Sequence, residues 1–136
     1  YGYIKDKPLQ ATDIYTKQCS VGVNARDLAC MAATLAFGGK NPVTGKQALD
    51  PKNVPYVLAV MAPAGLYDDS GKWLFHTGLP AKSGVGGGII AVVPNRFGIA
   101  VVSPPLDDAG NSVRAQKAIT YIVQELKLNP YASTPR

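Results

Sequence analysis

Ile89-Ile-Ala-Val-Val-Pro-Asn-Arg-Phe-Gly-Ile-Ala-Val-Val102 contains two β-branched runs, Ile89 to Val93 and Gly98 to Val102, joined by Pro94-Asn95-Arg96. Each run is apolar throughout instead of alternating, which predicts an antiparallel hairpin buried on both faces. A hairpin of that kind needs a helical layer on each side. Part of that covering helical layer is expected to be absent from the chain, which would leave it poorly stable or associated.

Downstream, Pro104-Pro105 closes the hairpin and Asn111 is expected to cap a final helix. Val113, Ala115, Ala118, Ile119, Ile122, Val123 and Leu126 form its apolar side, and Asn129 to Arg136 read as a frayed tail. Upstream, Lys82 begins one strand and Trp73-Leu-Phe75 reads as another short one. Pro51 opens a helix through Val54, Val57, Leu58, Val60 and Met61, with Pro55 tolerated in its first turn and Pro63-Ala-Gly65 as its stop. Leu28, Met31, Ala32 and Leu35 recur at helical spacing from Ala25 to Phe37, after an Asn24 cap with Asp27 in the first turn and before the Gly38-Gly39 terminator. Earlier still, Thr12 or Asp13 can cap a short helix whose apolar side would be Ile14, Cys19, Val21 and Val23, and Tyr1 to Gln10 read as the tail of an element. Helices, then strands, then a long helix on the sheet make an α+β pattern.

The chain has 136 residues, 46% of them apolar, which is one domain's worth of core. It opens on Tyr1, no apolar stretch approaches the roughly 18 residues of a membrane span, and no basic-then-apolar leader precedes a cleavage site, so a soluble protein is expected. Net charge is +5, but the lysines and arginines are scattered without aromatic interleaving, which is a poor nucleic-acid footprint. Cys19 and Cys30 are too few for a disulfide framework and are expected as buried free thiols in a reducing compartment. The single His76 argues against a metal site and against a histidine-based triad within this chain.

The stretch richest in chemistry is Gly78-Leu-Pro-Ala-Lys-Ser-Gly-Val-Gly-Gly-Gly88. Lys82-Ser83-Gly84 has the shape of the Lys-Thr/Ser-Gly box that penicillin-recognising serine acylases carry on a strand at the active-site edge. Gly86, Gly87 and Gly88 leave backbone N–H groups unshielded where a ligand oxygen could approach. On its own residues the stretch has two readings: an active-site edge, or a solvated strand lysine followed by a flexible turn.

Context comes from further segments taken together. Gln18-Cys19-Ser20-Val21, Met31-Ala-Ala-Thr-Leu35, Asn41-Pro-Val-Thr-Gly45, Leu66-Tyr67-Asp68, Ser70-Gly71, Ser103-Pro104 and Gly110-Asn-Ser-Val113, with the lysine box, resemble the C-terminal half of the serine-dependent glutaminases in order from about Tyr15 to about Leu126. One departure is Phe37, standing before the glycine pair where the family pattern has Asn. The resemblance implies a β-lactamase/transpeptidase-like fold, an antiparallel sheet flanked by helices, of which residues 1–136 would be the C-terminal portion of a single domain. It also implies L-glutamine as substrate, hydrolysed to L-glutamate and ammonia through a serine acyl-enzyme, with no cofactor, in a cytoplasmic homo-oligomer (dimer or tetramer) that binds neither nucleic acid nor membrane.

Amide hydrolysis by a serine enzyme needs an activated hydroxyl, a proton shuttle and N–H donors for the oxyanion. No Ser-x-x-Lys occurs in this sequence, so the resemblance places the family's nucleophile, and its upstream Asn and Glu ligands, outside the chain. What it carries over is the other wall. Tyr67 matches the family tyrosine that lies beside the nucleophile, contacts substrate and shuttles the proton, a role that needs a depressed phenol pKa such as a nearby lysine cation would supply. Tyr15 matches the substrate-contacting tyrosine, and Val85 the position whose backbone N–H helps build the oxyanion hole and so contacts substrate. Lys82, Ser83 and Gly84 are expected to line the same cleft. Without the resemblance, Tyr67 would be a turn residue and Tyr15 a packed helix aromatic. The alternative function is a non-catalytic binding or oligomerisation module.

Other motifs fall short. Five residues separate Gly39 from Gly45 and Gln47 stands where a phosphate loop needs Ser or Thr. Gly84-Val-Gly86 lacks the spacing of a dinucleotide site. Asp68-Asp69 and Asp107-Asp108 lack that of a calcium loop and read as turn and capping residues.

Overall fold

The computed structural model describes residues 1–3, 5 and 7–132. Three strands, Ala81–Gly84 (β1), Gly88–Val93 (β2) and Phe97–Val102 (β3), form one antiparallel sheet in that order. Ala81 stands opposite Ala91, and Ala91 in turn opposite Ile99. The expected hairpin is β2 and β3. Its turn is made by Asn95 in the left-handed region at φ 61, a conformation asparagine tolerates, and Asn95 N–H reaches the Ala36 carbonyl at 3.0 Å.

Among the described residues there are five helices: Pro8–Cys19 (α1), Ala25–Ala36 (α2), Val54–Ala64 (α3), Ser70–Thr77 (α4) and Val113–Glu125 (α5). Alternation along β2 divides the interior in two. Ile89, Ala91 and Val93 pack with Ile99 against Trp73 of α4 and Ala115, Ile119 and Val123 of α5. On the other face Val92, with half-buried Ile90, meets Ala32 and Ala36 of α2 and Met61 of α3. β2 is therefore covered on both faces, as its continuous apolar run requires, while β3 opens toward solvent at Val102. Gly98 makes the close approach of α2 possible, because a Cβ there would run into the Ala32–Ala33 backbone.

Asn24 caps α2 as expected, its Oδ1 accepting from the Arg26 and Asp27 N–H groups while Asp27 reaches back to the Asn24 N–H at 3.0 Å. Gly38 and Gly39, both with positive φ, end that helix, and Gly39 N–H returns to the Thr34 carbonyl at 2.8 Å. Pro51 opens a single 3₁₀ turn, Pro51–Asn53, that leads into α3, and α3 runs through Pro63 to Ala64 before Gly65.

Several expectations are corrected. Trp73-Leu-Phe75 is not a strand but the middle of α4, where Trp73 and Thr77, four residues apart, share the buried face and Phe75 points outward, 80% exposed. Gly78 in the left-handed region closes the helix, and the Trp73 indole donates to the Leu79 carbonyl at 2.9 Å, so tertiary packing overrides the β-propensity of the aromatics. The α5 cap is Ser112, whose Oγ accepts from the Ala115 N–H at 3.2 Å, not Asn111. Helix α1 starts at Pro8, earlier than the expected Thr12 or Asp13, and the Thr12 hydroxyl donates back to the Pro8 carbonyl. No α1 residue is buried, and Ile14, Cys19, Val21 and Val23 are all exposed. Cys19 is free and exposed and Cys30 free and half-buried, so neither is the buried thiol expected. Fraying does not begin at Asn129, since Leu128 sits in the core and the Asn129 side chain lies against Gly78. The remainder of that expected tail, from Ser133, lies outside the described residues, as do Ile4 and Asp6 of the expected N-terminal tail.

Candidate active site

The site is built where the chain turns from α3 into α4. Gly65 packs directly on β1, where a Cβ would run into the Ala81 carbonyl, and its own carbonyl accepts the Ser83 N–H at 3.0 Å and the Ser83 hydroxyl at 3.4 Å. Leu66 then fills the core completely, and Tyr67 opens a 3₁₀ turn, Tyr67–Asp69, with φ 51. A bulky residue in the left-handed region is strained, and it persists only where its surroundings fix it. The surroundings here are polar and buried. Ser70 Oγ accepts the Leu66 N–H at 2.8 Å and donates to the Tyr67 carbonyl at 2.7 Å, while Asn111 Nδ2 donates to the Leu66 carbonyl at 3.0 Å.

The Tyr67 ring emerges from this turn about half exposed, beneath Lys82. In β1 the side chains of Ala81 and Ser83 turn into the core and that of Lys82 to the opposite face, so the lysine meets the ring from the strand edge. Its Nζ lies 4.8 Å from the ring centroid and donates to the Ser83 carbonyl at 2.5 Å. Partial burial pushes the Lys82 amine below its usual range, since the charged form loses solvent there.

Val85 begins the turn from β1 to β2, closed by Gly87 N–H to the Gly84 carbonyl at 2.9 Å. Gly87, at φ 90, abuts the Ser103 carbonyl, where a Cβ would clash, and Ser103 N–H returns to the Gly87 carbonyl. The Val85 side chain is exposed, and among the described residues no acceptor takes its N–H. Gly110 brings Val85 and Tyr67 together: a Cβ on it would stand 3.8 Å from Val85 Cγ1 and 3.9 Å from Tyr67 Cε2.

Tyr15 is two-thirds exposed on α1. Its phenol is raised above the ordinary tyrosine range, first by hydrogen bonding to the Cys19 side chain one helical turn on and by the thiol's charge, then by burial and the charge of Tyr67. A cavity of about 430 Å³ is lined by Cys19, Leu28, Lys82, Ser83, Gly84 and Ile90 among others. Lys82, Ser83 and Gly84 line this cavity, with the Ser83 hydroxyl bonded to the Gly65 carbonyl, whereas Tyr15, Tyr67 and Val85 do not line it.

A family model described as Glutaminase matches residues 1–131. The chain belongs to the glutaminase family. It is 58% identical over 127 residues to a glutaminase of Mycobacterium ulcerans (strain Agy99), covering 93% of this chain and 40% of that protein. It is 52% identical over 130 residues to a glutaminase of Escherichia coli O81 (strain ED1a), covering 96% and 42%. Among solved structures, the probable glutaminase ybaS superposes with a TM-score of 0.90 at 52% identity over 97% of this chain and 43% of that one. The Bacillus subtilis glutaminase YbgJ, solved as a covalent complex with 5-oxo-L-norleucine, superposes with a TM-score of 0.88 at 30% identity over 96% and 47%. The chain spans about two-fifths of the length of the curated relatives it matches. These structures bear out the α+β, β-lactamase-like fold that the glutaminase resemblance implied.

The sequence does not connect Ser70, Gly110 or Asn111 with Tyr67, as the fold does. Each lies in a segment that carries the family resemblance, but the sequence predicts a helix cap at Asn111 and names no partner for Ser70. The available signal was a buried-type polar residue beside a turn, which only the fold connects to Tyr67.

Proposed function

We propose that this chain is the C-terminal portion of a single glutaminase domain and supplies one wall of its active site, in a protein that hydrolyses L-glutamine to L-glutamate and ammonia. The observation that carries the reading is the convergence of Tyr67, Lys82 and the Val85 turn at the end of β1. In this reading a serine hydroxyl from outside the chain adds to the side-chain amide carbon, and its proton passes through the Tyr67 phenol to the departing nitrogen. The C–N bond breaks, ammonia leaves, and water then cleaves the acyl-serine to glutamate.

Lys82 stands where its charge stabilises negative charge developing on the phenol oxygen. The Val85 N–H, left without a partner among the described residues, receives the oxyanion. Tyr15 contacts substrate from α1, and Lys82, Ser83 and Gly84 line the cleft. No cofactor is needed for these steps. We place the protein in the cytoplasm as a homo-oligomer.

A second reading, a non-catalytic binding or oligomerisation module, is favoured by one observation: the chain holds no Ser-x-x-Lys. Ammonia release from glutamine, measured on the 136-residue chain and on the full-length gene product, separates the two. The first reading expects activity only in the full-length product. Activity in neither would leave the second, and activity in the isolated chain would contradict both.

A further inference from the structure

We infer that Ser70 and Asn111 are positioning residues that hold Tyr67 in its left-handed conformation and thereby aim the phenol. The inference rests on the proposed role of Tyr67 as proton shuttle.

Three polar groups of the Leu66-Tyr67 backbone are taken by these two side chains: the Leu66 N–H and the Tyr67 carbonyl by Ser70, and the Leu66 carbonyl by Asn111. Ser70 is 3% exposed and Asn111 fully buried, so water does not compete for these bonds. Asn111 is itself fixed from both sides by Asp107, whose Oδ1 accepts the Asn111 N–H at 2.8 Å and whose N–H donates to the Asn111 carbonyl at 2.9 Å. Its Nδ2 thus reaches across 45 sequence positions from an anchored backbone.

Asn111 Oδ1 is buried and has no hydrogen-bond partner among the described residues. Reversing the amide would set that oxygen against the Leu66 carbonyl, so the assigned orientation is the one with a bond to gain. A leucine would fill the same space without an orphaned acceptor. The amide at this position is therefore explained by the one bond it makes, to the peptide that precedes Tyr67. The same loop carries Gly110 to the Tyr67 ring and the Val85 side chain, so one segment fixes both the backbone and the surroundings of the phenol.

The test is a double-mutant cycle in the full-length gene product with two independent variants, Asn111→Leu and Ser70→Ala, each alone and combined with Tyr67→Phe. Ser70→Ala keeps the cycle usable where Asn111→Leu does not fold. Each single variant is expected to lower kcat about tenfold to a hundredfold with KM within about threefold, as for a misaimed catalytic group. In the Tyr67→Phe background the same change should cost less than about threefold, because there is no phenol left to aim. A second readout needs no activity. Left-handed backbone brings an amide proton close to its own Hα, so Tyr67 in the isotopically labelled chain should give a strong intraresidue NOE that weakens in both variants.

Equal losses with and without the phenol, or an undiminished Tyr67 NOE with unchanged kcat in both variants, would overturn the inference. An unsubstituted full-length protein that releases no ammonia from glutamine would instead remove the catalytic reading, and the NOE would then decide the clamp alone.

Discussion

The Lys82 ammonium lies 4.8 Å from the centre of the Tyr67 ring, although fourteen residues of helix and turn separate the two in the chain. The contact exists because Gly65 lets the turn before Tyr67 lie directly on β1, and because strand alternation sends Lys82 to the face where the ring emerges. Replacing Lys82 with methionine keeps most of the stem and removes the charge. In the full-length protein, Lys82→Met should lower kcat more than it raises KM.

The same substitution has a pH signature. Burial lowers the folded-state pKa of Lys82, so the unfolded chain binds more protons between the folded and the ordinary lysine values. Across that alkaline window the native protein gains stability relative to Lys82→Met as pH rises, and below it the difference is flat. Denaturant midpoints of both proteins from pH 7 upward check this, and a difference that shrinks as pH rises would contradict it.

Asp107 carries the opposite linkage. Burial alone would raise its carboxyl, but hydrogen bonds from the Asn111 N–H, the Gln116 amide and the Ala109 N–H, with the Lys72 charge, together hold it below the usual range. Its contribution is present above the unfolded-state value and is lost as pH falls through the folded one. Asp107→Ala should therefore destabilise the chain at pH 7 and much less once pH has fallen through the lowered folded-state value. Because Asp107 anchors Asn111, the variant should also weaken the Tyr67 NOE at neutral pH.

The two-sided hairpin was legible because β-branched residues without alternation have few alternatives, and the Asn24 cap because a capping box is a local device. Trp73-Leu-Phe75 misled because aromatic content favours a strand, whereas the deciding facts were distant: the Leu79 carbonyl that takes the indole N–H and the Asn129 side chain packed against Gly78. Asn111 misled in the same way. It precedes a helix, as a cap does, but its side chain serves a peptide far back in the chain, and no spacing rule reports that. Tyr15, Tyr67 and Val85 are singled out by the family resemblance alone, and only the fold puts Gly110 beside two of them.

Gly98→Ala tests the docking of α2 on the sheet. The new methyl would meet the Ala32–Ala33 backbone, which belongs to a helix and has no flexible end to move aside. Overpacking of this kind costs about 1–3 kcal/mol, and a helix forced off β3 would also expose Val92 and Ile90. Denaturation of the variant should show a lower midpoint with an unchanged slope. An unaffected midpoint would mean that α2 is held less tightly than the packing implies.

The isolated chain should associate. Leu9, Ile14, Tyr15, Val21 and Val23 lie exposed along α1 and the segment after it, and α1 buries nothing among the described residues. A helix without a packed face draws little stability from propensity alone. Lys17 and Asp13 form an ion pair along α1 at 2.6 Å, but both side chains are well exposed, so the pair contributes little. The thermal midpoint of the 136-residue chain should rise with protein concentration, and Ile14→Glu together with Val23→Glu should reduce both the association and that dependence. A monomer with a sharp melt and a concentration-independent midpoint would show that the chain needs no cover for α1.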